Sequence, residues 1–295
     1  MTPSESPAEG AFDPAPWVGR EERVRTRATR ETAAMLEAAL DRAAPEPDAP
    51  VAPLRHWLWL FAPPATPTAA LGPDGHPPRG TLIPDWPLPR RMWAGSTVRF
   101  LRPVAPDAPL ERVTRVVSAT VKHGRSGSLG FVELRHHWLL DDGGCAIEDL
   151  QTVVYREAAA ASAAAPATAA AAGAGLSPAA VWTRTHQPGP ALLFRYSALT
   201  FNTHRIHYDR PYATAVEGYP DLVVHGPLMA TLMLDAFRDA HPRARVRHFA
   251  FRATSPAFCD RPIECGGAPD GPGRARLWVR SPGGGEHLRG EVEFD

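Results

Sequence analysis

Lysine is almost absent from this 295-residue chain: Lys122 stands alone, and arginine supplies the rest of the 32 basic residues. Thirty-two acidic residues balance them, so the formal charge is zero. Without a basic excess there is little counterion-release drive toward a polyanion, which argues against a nucleic-acid partner. The preference for arginine, with abundant alanine and proline, reads as coding bias, so arginine clusters alone carry no functional weight. Cysteine is scarce. Cys145, Cys259 and Cys265 form an odd set with no C-x-x-C pair, which argues against a disulfide framework and a structural zinc site. No apolar run is long enough to span a bilayer. Met1 to Pro16 is polar and proline-rich, without the apolar stretch of a secretory leader. These absences point to a cytoplasmic protein with no membrane partner.

What is present is enough apolar material, 44% of residues, for one large domain or two of ordinary size. An alanine-rich stretch interrupted by Pro166 and A-G-A-G-L-S-P divides the chain. It reads as a linker over 158–178 between an N-terminal unit, 1–157, and a C-terminal unit, 179–295; a surface helix within one domain is the alternative. In the first half, Ala34, Met35, Ala38 and Ala39 share a helical stripe over 31–41. H-W-L-W-L-F (56–61) is a short apolar segment, and 64–90 is too rich in Pro and Gly for extended regular structure. Strand-like runs follow over 97–101, 113–122, 129–140 and 147–155. In the second of these Val117, Ala119 and Val121 alternate with polar neighbours. Residues 123–128 suit a hairpin turn.

The second half repeats this plan. Residues 181–184 and 191–194 read as short strands or turns, and 196–200 as a helix start. After His225, Leu228, Met229, Leu232, Met233, Ala236 and Phe237 recur at three- and four-residue spacings, which predicts a buried helix. Strands are expected over 244–253, 274–280 and 288–294. Periodicity alone therefore gives an α+β chain of two similar halves.

The chemistry is concentrated in Y-S-A-L-T-F-N-T-H-R-I-H-Y-D-R-P, 196–211, and V-V-H-G-P-L, 223–228. His204 and His207 lie three apart, flanked by Asn202, Arg205, Tyr208 and Asp209. This is the densest group of titratable and hydrogen-bonding residues in the chain. Downstream, Gly226 opens the apolar helix behind His225. A helix start offers unpaired N–H groups and a positive dipole end, where a carbonyl oxygen gaining negative charge is stabilised. An imidazole beside such a site suits proton transfer next to a thioester carbonyl. H-x-x-H can also bind metal, but no third ligand lies at useful spacing, so no metal is expected. The histidines alone are equally compatible with a structural pair at a turn. His136, His137 and His186 read as exposed or structural.

These segments resemble the signature of the MaoC-like hydratase/dehydratase family, A-L-S-G-D-x-N-P-x-H followed by V-x-H-G. On that resemblance His207 falls on the catalytic histidine, His204 on the family asparagine, and Gly226 on the glycine whose N–H binds the thioester oxygen. Asn202 falls where the family has its catalytic aspartate, and an amide cannot exchange a proton as a carboxylate does. W-V-G-R, H-W-L-W-L-F and R-R-M-W-A-G-S-T-V-R-F-L-R-P (90–103) extend the likeness to a narrower branch. That branch contains mesaconyl-CoA and itaconyl-CoA hydratases and type 2 hydroxyacyl-thioester dehydratases.

The resemblance implies a double hotdog: two fused repeats, each an antiparallel sheet wrapped around a central helix. The first would shape the acyl pocket and the second carry catalysis. It implies a hydro-lyase that adds water reversibly across an enoyl-CoA, mesaconyl-CoA or itaconyl-CoA giving citramalyl-CoA, with no cofactor beyond the coenzyme A of the substrate. His207 and Asn202 would be catalytic and Gly226 the oxyanion site. Arg205, His204, Tyr208 and His225 would contact substrate, with Arg205 facing a substrate carboxylate. A fatty-acid 3-hydroxyacyl-thioester dehydratase is the runner-up; a thioesterase or a non-catalytic acyl-CoA binder is a further alternative. An acyl-CoA thioester is the expected partner, and self-association as a homo-oligomer is left open.

Overall fold

The alternating runs of the sequence become long antiparallel strands. The computed structural model describes residues 12–61, 65–124, 127–157 and 179–295. The first half contains β1 (Glu21–Arg27), α1 (Arg30–Ala39), β2 (Arg90–Phe100), β3 (Pro109–Gly124), β4 (Gly127–Leu139) and β5 (Cys145–Arg156). The second contains β6 (Trp182–His186), α2 (Pro190–Leu199), α3 (Gly226–Ala240), β7 (Val246–Ala253), β8 (Ile263–Pro269), β9 (Arg274–Arg280) and β10 (Glu286–Phe294). The expected linker, 158–178, lies outside the described residues.

All these strands join one sheet in the order β1-β3-β4-β5-β2-β7-β10-β9-β8-β6. From either outer edge inward, each half runs first, third, fourth, fifth, second. This repeated order is the double hotdog expected from the sequence. The halves meet where β2 pairs antiparallel with β7, from Gly95 opposite Arg252 to Arg99 opposite His248. Gly95 is required at this seam, because a Cβ there would lie 2.4 Å from the Phe251 carbonyl oxygen.

The two halves differ at their centres. In the second, α3 packs against β6, β8, β9 and β10, and its residues from Pro227 to Phe237 are all buried. Its apolar character on every side reflects that burial. In the first, the corresponding place holds only a 3-10 turn, Arg55–Trp59, also fully buried. Pro53 precedes it and Pro63-Pro64 follow it, and proline cannot sit inside a longer helix without losing a hydrogen bond. The irregular stretch before β2 then runs to the segment around Arg205 of the other half, where the Arg205 N–H donates to the Asp74 carbonyl. Buried Arg55 ties the halves together: it contacts Glu37 on α1 at 2.8 Å and Asp235 on α3 at 2.8 Å.

Some expectations require correction. Residues 191–194 are not a strand or turn but lie within α2, which opens on Pro190. Its apolar residues point both ways, Leu193 being buried and Phe194 exposed, so no clear stripe marks it. β1 and β8 escaped the sequence reading. β1 buries only Val24 among charged neighbours, and β8 contains adjacent glycines at 266 and 267. Among the described residues, no helix is long and apolar enough to cross a membrane.

Candidate active site

After α2 the chain turns at Phe201, which adopts a left-handed φ of 52°, an uncommon conformation for an aromatic residue. The Asn202 side-chain oxygen then accepts the His204 N–H at 3.0 Å. This Asx-type bond orders the turn and leaves the amide NH2, which has no acceptor among the described residues, able to donate. A single 3-10 turn, Arg205–His207, follows. It is anchored by Val223, whose N–H donates to the Ile206 carbonyl at 2.9 Å.

The same Val223 fixes the histidine. His207 Nδ1 lies 2.7 Å from the Val223 carbonyl oxygen. A carbonyl only accepts, so Nδ1 carries the hydrogen and Nε2 of the neutral ring presents a lone pair. His207 stacks on His225 with centroids 3.7 Å apart at 22°, which restrains its rotation. His225 is itself held by Ser197 Oγ, 2.8 Å from its Nε2. Burial lowers the His207 pKa to about 4, although the Val223 hydrogen bond opposes that shift. Burial, with the nearby His207, also drives His225 well below the usual imidazole range. The imidazoles are therefore neutral at neutral pH and can accept protons.

His225 is the N-cap of α3, with Gly226 as first helical residue and Pro227 next. Gly226 N–H thus belongs to the unpaired first turn. A Cβ on Gly226 would meet only the Trp93 carbonyl oxygen, at 3.7 Å. Crowding by the protein does not demand glycine here, whereas close approach of a ligand to the backbone would.

Asn202, His204, His207, His225 and Gly226 all line one cavity of about 440 Å³. Arg205 and Tyr208 do not. The Arg205 guanidinium is committed to Asp209 at 2.7 Å and the Pro73 carbonyl at 2.9 Å, and it lies over the Tyr212 ring at 4.2 Å. Tyr208 is exposed and donates to the Thr203 carbonyl at 3.2 Å. The cavity arginine comes instead from β2. Among the described residues, the half-buried Arg91 side chain lines the cavity without a hydrogen-bond or ion-pair partner. The other lining arginines have partners: Arg79 the Leu88 carbonyl, Arg112 Glu22, and Arg156 the Tyr219 hydroxyl.

The first half also supplies His76. Its ring lies 4.2 Å from that of His204, which in turn meets His207 edge-on at 5.4 Å. With His225 this makes a row of four imidazoles. His136, from β4, is buried and also lines the cavity, with Gln151 and Thr114. His76 and Arg91 were not singled out in the sequence because they are remote from the signature segments, and His136 reads there only as exposed or structural, whereas it is buried against the cavity. P-D-G-H-P (73–77), an Asp-x-His pair bracketed by turn residues inside an otherwise irregular stretch, was the available signal.

Asp74, His76 and His204 bring candidate metal-ligand atoms within 4.8 Å of one another, so a third partner absent from the local sequence does arrive through the fold. The donor chemistry fits a metal poorly. Asp74 Oδ2 is already 2.8 Å from His76 Nδ1. This places the carboxylate behind the ring and leaves two imidazole nitrogens, fewer than the three protein ligands of a catalytic zinc site. Arg91 also sets its positive charge against both rings.

The model of the family hydroxyacyl-thioester dehydratase type 2 matches residues 55–259. Mesaconyl-C(4)-CoA hydratase of Chloroflexus aurantiacus is 41% identical over 280 residues, covering 94% of this chain and 96% of that protein. The MaoC-like dehydratase of Phytophthora capsici has a similar fold, with TM-score 0.69 at 15% identity, over 94% of this chain and 96% of that one. So does a Mycobacterium tuberculosis protein described as a double hotdog, with TM-score 0.59 at 14% identity, over 94% and 96% of the two chains. The match to the family model and the nearly full-length identity show that this hydro-lyase belongs to the hydroxyacyl-thioester dehydratase type 2 family.

Proposed function

We propose that this protein hydrates a branched C5 dicarboxylyl-CoA, mesaconyl-C(4)-CoA in the first place and itaconyl-CoA in the second, to citramalyl-CoA. The observation that carries this reading is the 41% identity to a mesaconyl-C(4)-CoA hydratase over 94% of the chain. In that substrate the β-carbon bears a free carboxylate, so its binding site needs a cation close to the reacting atoms. Arg91 supports this reading, because it has no partner among the described residues, lines the cavity, and acts electrostatically on His76 and His204.

In the reaction of mesaconyl-C(4)-CoA, whose double bond is conjugated to the thioester, Gly226 N–H binds the thioester oxygen, which gains negative charge as water adds to the β-carbon. Asn202 donates its amide NH2 to the water oxygen. His207 Nε2 carries the proton that ends on the α-carbon. The thioester itself acidifies the α-carbon, so the chemistry calls for no metal or further cofactor. Residues 1–157 shape the acyl pocket, 179–295 carry the catalytic segment, and 158–178 link them. The reaction takes place in the cytoplasm.

The test compares mesaconyl-C(4)-CoA with crotonyl-CoA, following loss of enoyl-thioester absorbance beside release of free thiol. Loss of conjugation without thiol release, faster on the dicarboxylyl substrate, is expected. Preference for crotonyl-CoA or longer chains would transfer the reading to fatty-acid dehydration, and primary thiol release would make the protein a thioesterase.

A further inference from the structure

We infer that an Asp74–His76 dyad, brought from the first half of the chain, is a second acid/base of the active site and takes the proton-accepting role that Asn202 cannot fill. The inference rests on the hydratase reading, since it names the group that deprotonates the attacking water.

The segment carrying the dyad is built onto the catalytic one. Gly75 has φ +86°, and a Cβ there would sit 1.9 Å from the Thr203 carbonyl oxygen. Only glycine permits that approach. The Asp74 carbonyl accepts the Arg205 N–H at 3.0 Å, and Thr203 Oγ1 donates to the Gly75 carbonyl. Residues 74–76 and 203–205 thus lock together, with His76 and His204 ring to ring.

Within the dyad, the Asp74 carboxylate accepts from the His76 backbone N–H at 3.0 Å and lies 2.8 Å from Nδ1. Burial would raise the Asp74 pKa, but the hydrogen bonds donated by the His76 ring and backbone hold it at about 2. The carboxylate is therefore ionised and Nδ1 carries the hydrogen. Nε2 is left with a lone pair and, among the described residues, no hydrogen bond. His76 lines the cavity. Burial and then the Arg91 charge lower its pKa to about 3, against the pull of Asp74. The charged or titratable neighbours acting on it are Arg91, Asp74 and His207, with the His204 ring in contact. An incoming substrate carboxylate would offset Arg91 and so strengthen His76 as a base in the loaded site.

The proton balance is closed. As the water oxygen bonds to the β-carbon, its O–H bond breaks and the proton passes to His76 Nε2, where Asp74 stabilises the imidazolium. The π pair moves to the α-carbon and the thioester oxygen. The proton then crosses by way of His204 to His207 and forms the α C–H bond. One water is consumed, and His76, His204 and His207 all return to their starting charge.

His76→Ala and Asp74→Asn are assayed beside the wild-type chain on mesaconyl-C(4)-CoA and crotonyl-CoA, with thermal unfolding as a folding check. His76 is the catalytic residue of the pair and Asp74 positions it. The expected result for His76→Ala is a loss in kcat of roughly 10²–10⁴-fold with KM little changed. Added imidazole should restore turnover in proportion to its unprotonated fraction. Asn202→Asp in the same background should recover part of the rate by restoring a carboxylate beside the water. Asp74→Asn, which preserves the size of the side chain, should lower kcat without gaining from imidazole. Wild-type kcat in a folded His76→Ala would overturn the inference, as would a loss confined to KM or no rescue by imidazole. If His76→Ala fails to fold, undiminished kcat in Asp74→Asn would overturn it. Stoichiometric tightly bound zinc whose removal abolishes wild-type turnover would also overturn it, in favour of a metal site. An inactive wild-type chain on both substrates would instead sink the hydratase reading.

Discussion

Replacing Arg91 with methionine separates substrate recognition from chemistry. The variant removes the cavity's unpaired cation while keeping the stem that packs in β2. A hydrogen bond to a charged group contributes about 1.5–3 kcal/mol. The upper figures measured for fully desolvated pairs do not apply, because Arg91 is only half-buried. At about 1.4 kcal/mol per tenfold, the loss in kcat/KM for mesaconyl-C(4)-CoA should be about 10- to 150-fold. Crotonyl-CoA has no β-carboxylate to lose. Its turnover should change far less, and upward, since Arg91 lowers the basicity of His76 and His204. Arg205→Met should affect both substrates alike, because Arg205 is paired with Asp209. The assay is initial-rate loss of enoyl absorbance on each substrate. Equal losses for Arg91→Met on both would refute a carboxylate-binding role.

His207→Ala should lower hydration by roughly 10²–10⁴-fold in a folded protein, and near-wild-type turnover would remove the central assignment. Because the His207 pKa is lowered to about 4, its base form prevails throughout the neutral range. The kcat–pH profile should therefore be flat there and fall only as the medium acidifies toward that value; a fall centred near the ordinary imidazole pKa would contradict the buried geometry. Arg55→Met should cost about 3–5 kcal/mol in denaturant unfolding, because it leaves the Glu37 and Asp235 carboxylates buried. Arg42 and Arg238 still reach those two groups, so the lower end is expected. Asp235 is held below the usual carboxylate range. Its share of stability is thus present above the unfolded carboxylate pKa and lost as pH falls through the depressed folded value.

The sequence was most legible where one periodicity or one contiguous segment held the whole signal. α3 could be read because its apolar residues recur at helical spacing over fifteen residues. β3, β4 and β5 could be read because long strands with alternating burial leave a period of two. Asn202, His204, His207, His225 and Gly226 could be grouped because all fall in the signature segments. What escaped was set by tertiary contact. β8 counts as a strand because Gly267 fits beneath Trp182, where a Cβ would lie 2.4 Å from the indole, and glycine has no strand signature of its own. Arg205 looked like the substrate's arginine because it lay between two histidines. Whether a guanidinium is free depends on its neighbours, and Asp209 four residues on had already taken it. Arg91 looked like one arginine among many.

The short 3-10 turn of the first half and the chemistry of the second are connected. Where the second repeat has a full central helix the first has only this turn, and the chain between it and β2 reaches the signature segment through Asp74 and Gly75. Losing that helix removes apolar burial from the first half. Part of the loss is offset by packing Trp57, Leu58 and Trp59 into the common core, and by tying Arg55 to Asp235 of α3. In exchange, the site gains groups fixed on both sides. Asp74 and His76 are locked against Thr203 and Arg205, and Arg91 projects from the strand that pairs with β7 at the seam. The signature segment alone supplies an imidazole and a helix start but no carboxylate partner, since position 202 is asparagine. The first half provides a carboxylate, Asp74, from the stretch between the 3-10 turn and β2, and a cation, Arg91, from β2 itself. On the proposed reading the two repeats divide the reaction: the second holds the thioester oxygen and the α-carbon proton, and the first meets the water and the substrate's charged end.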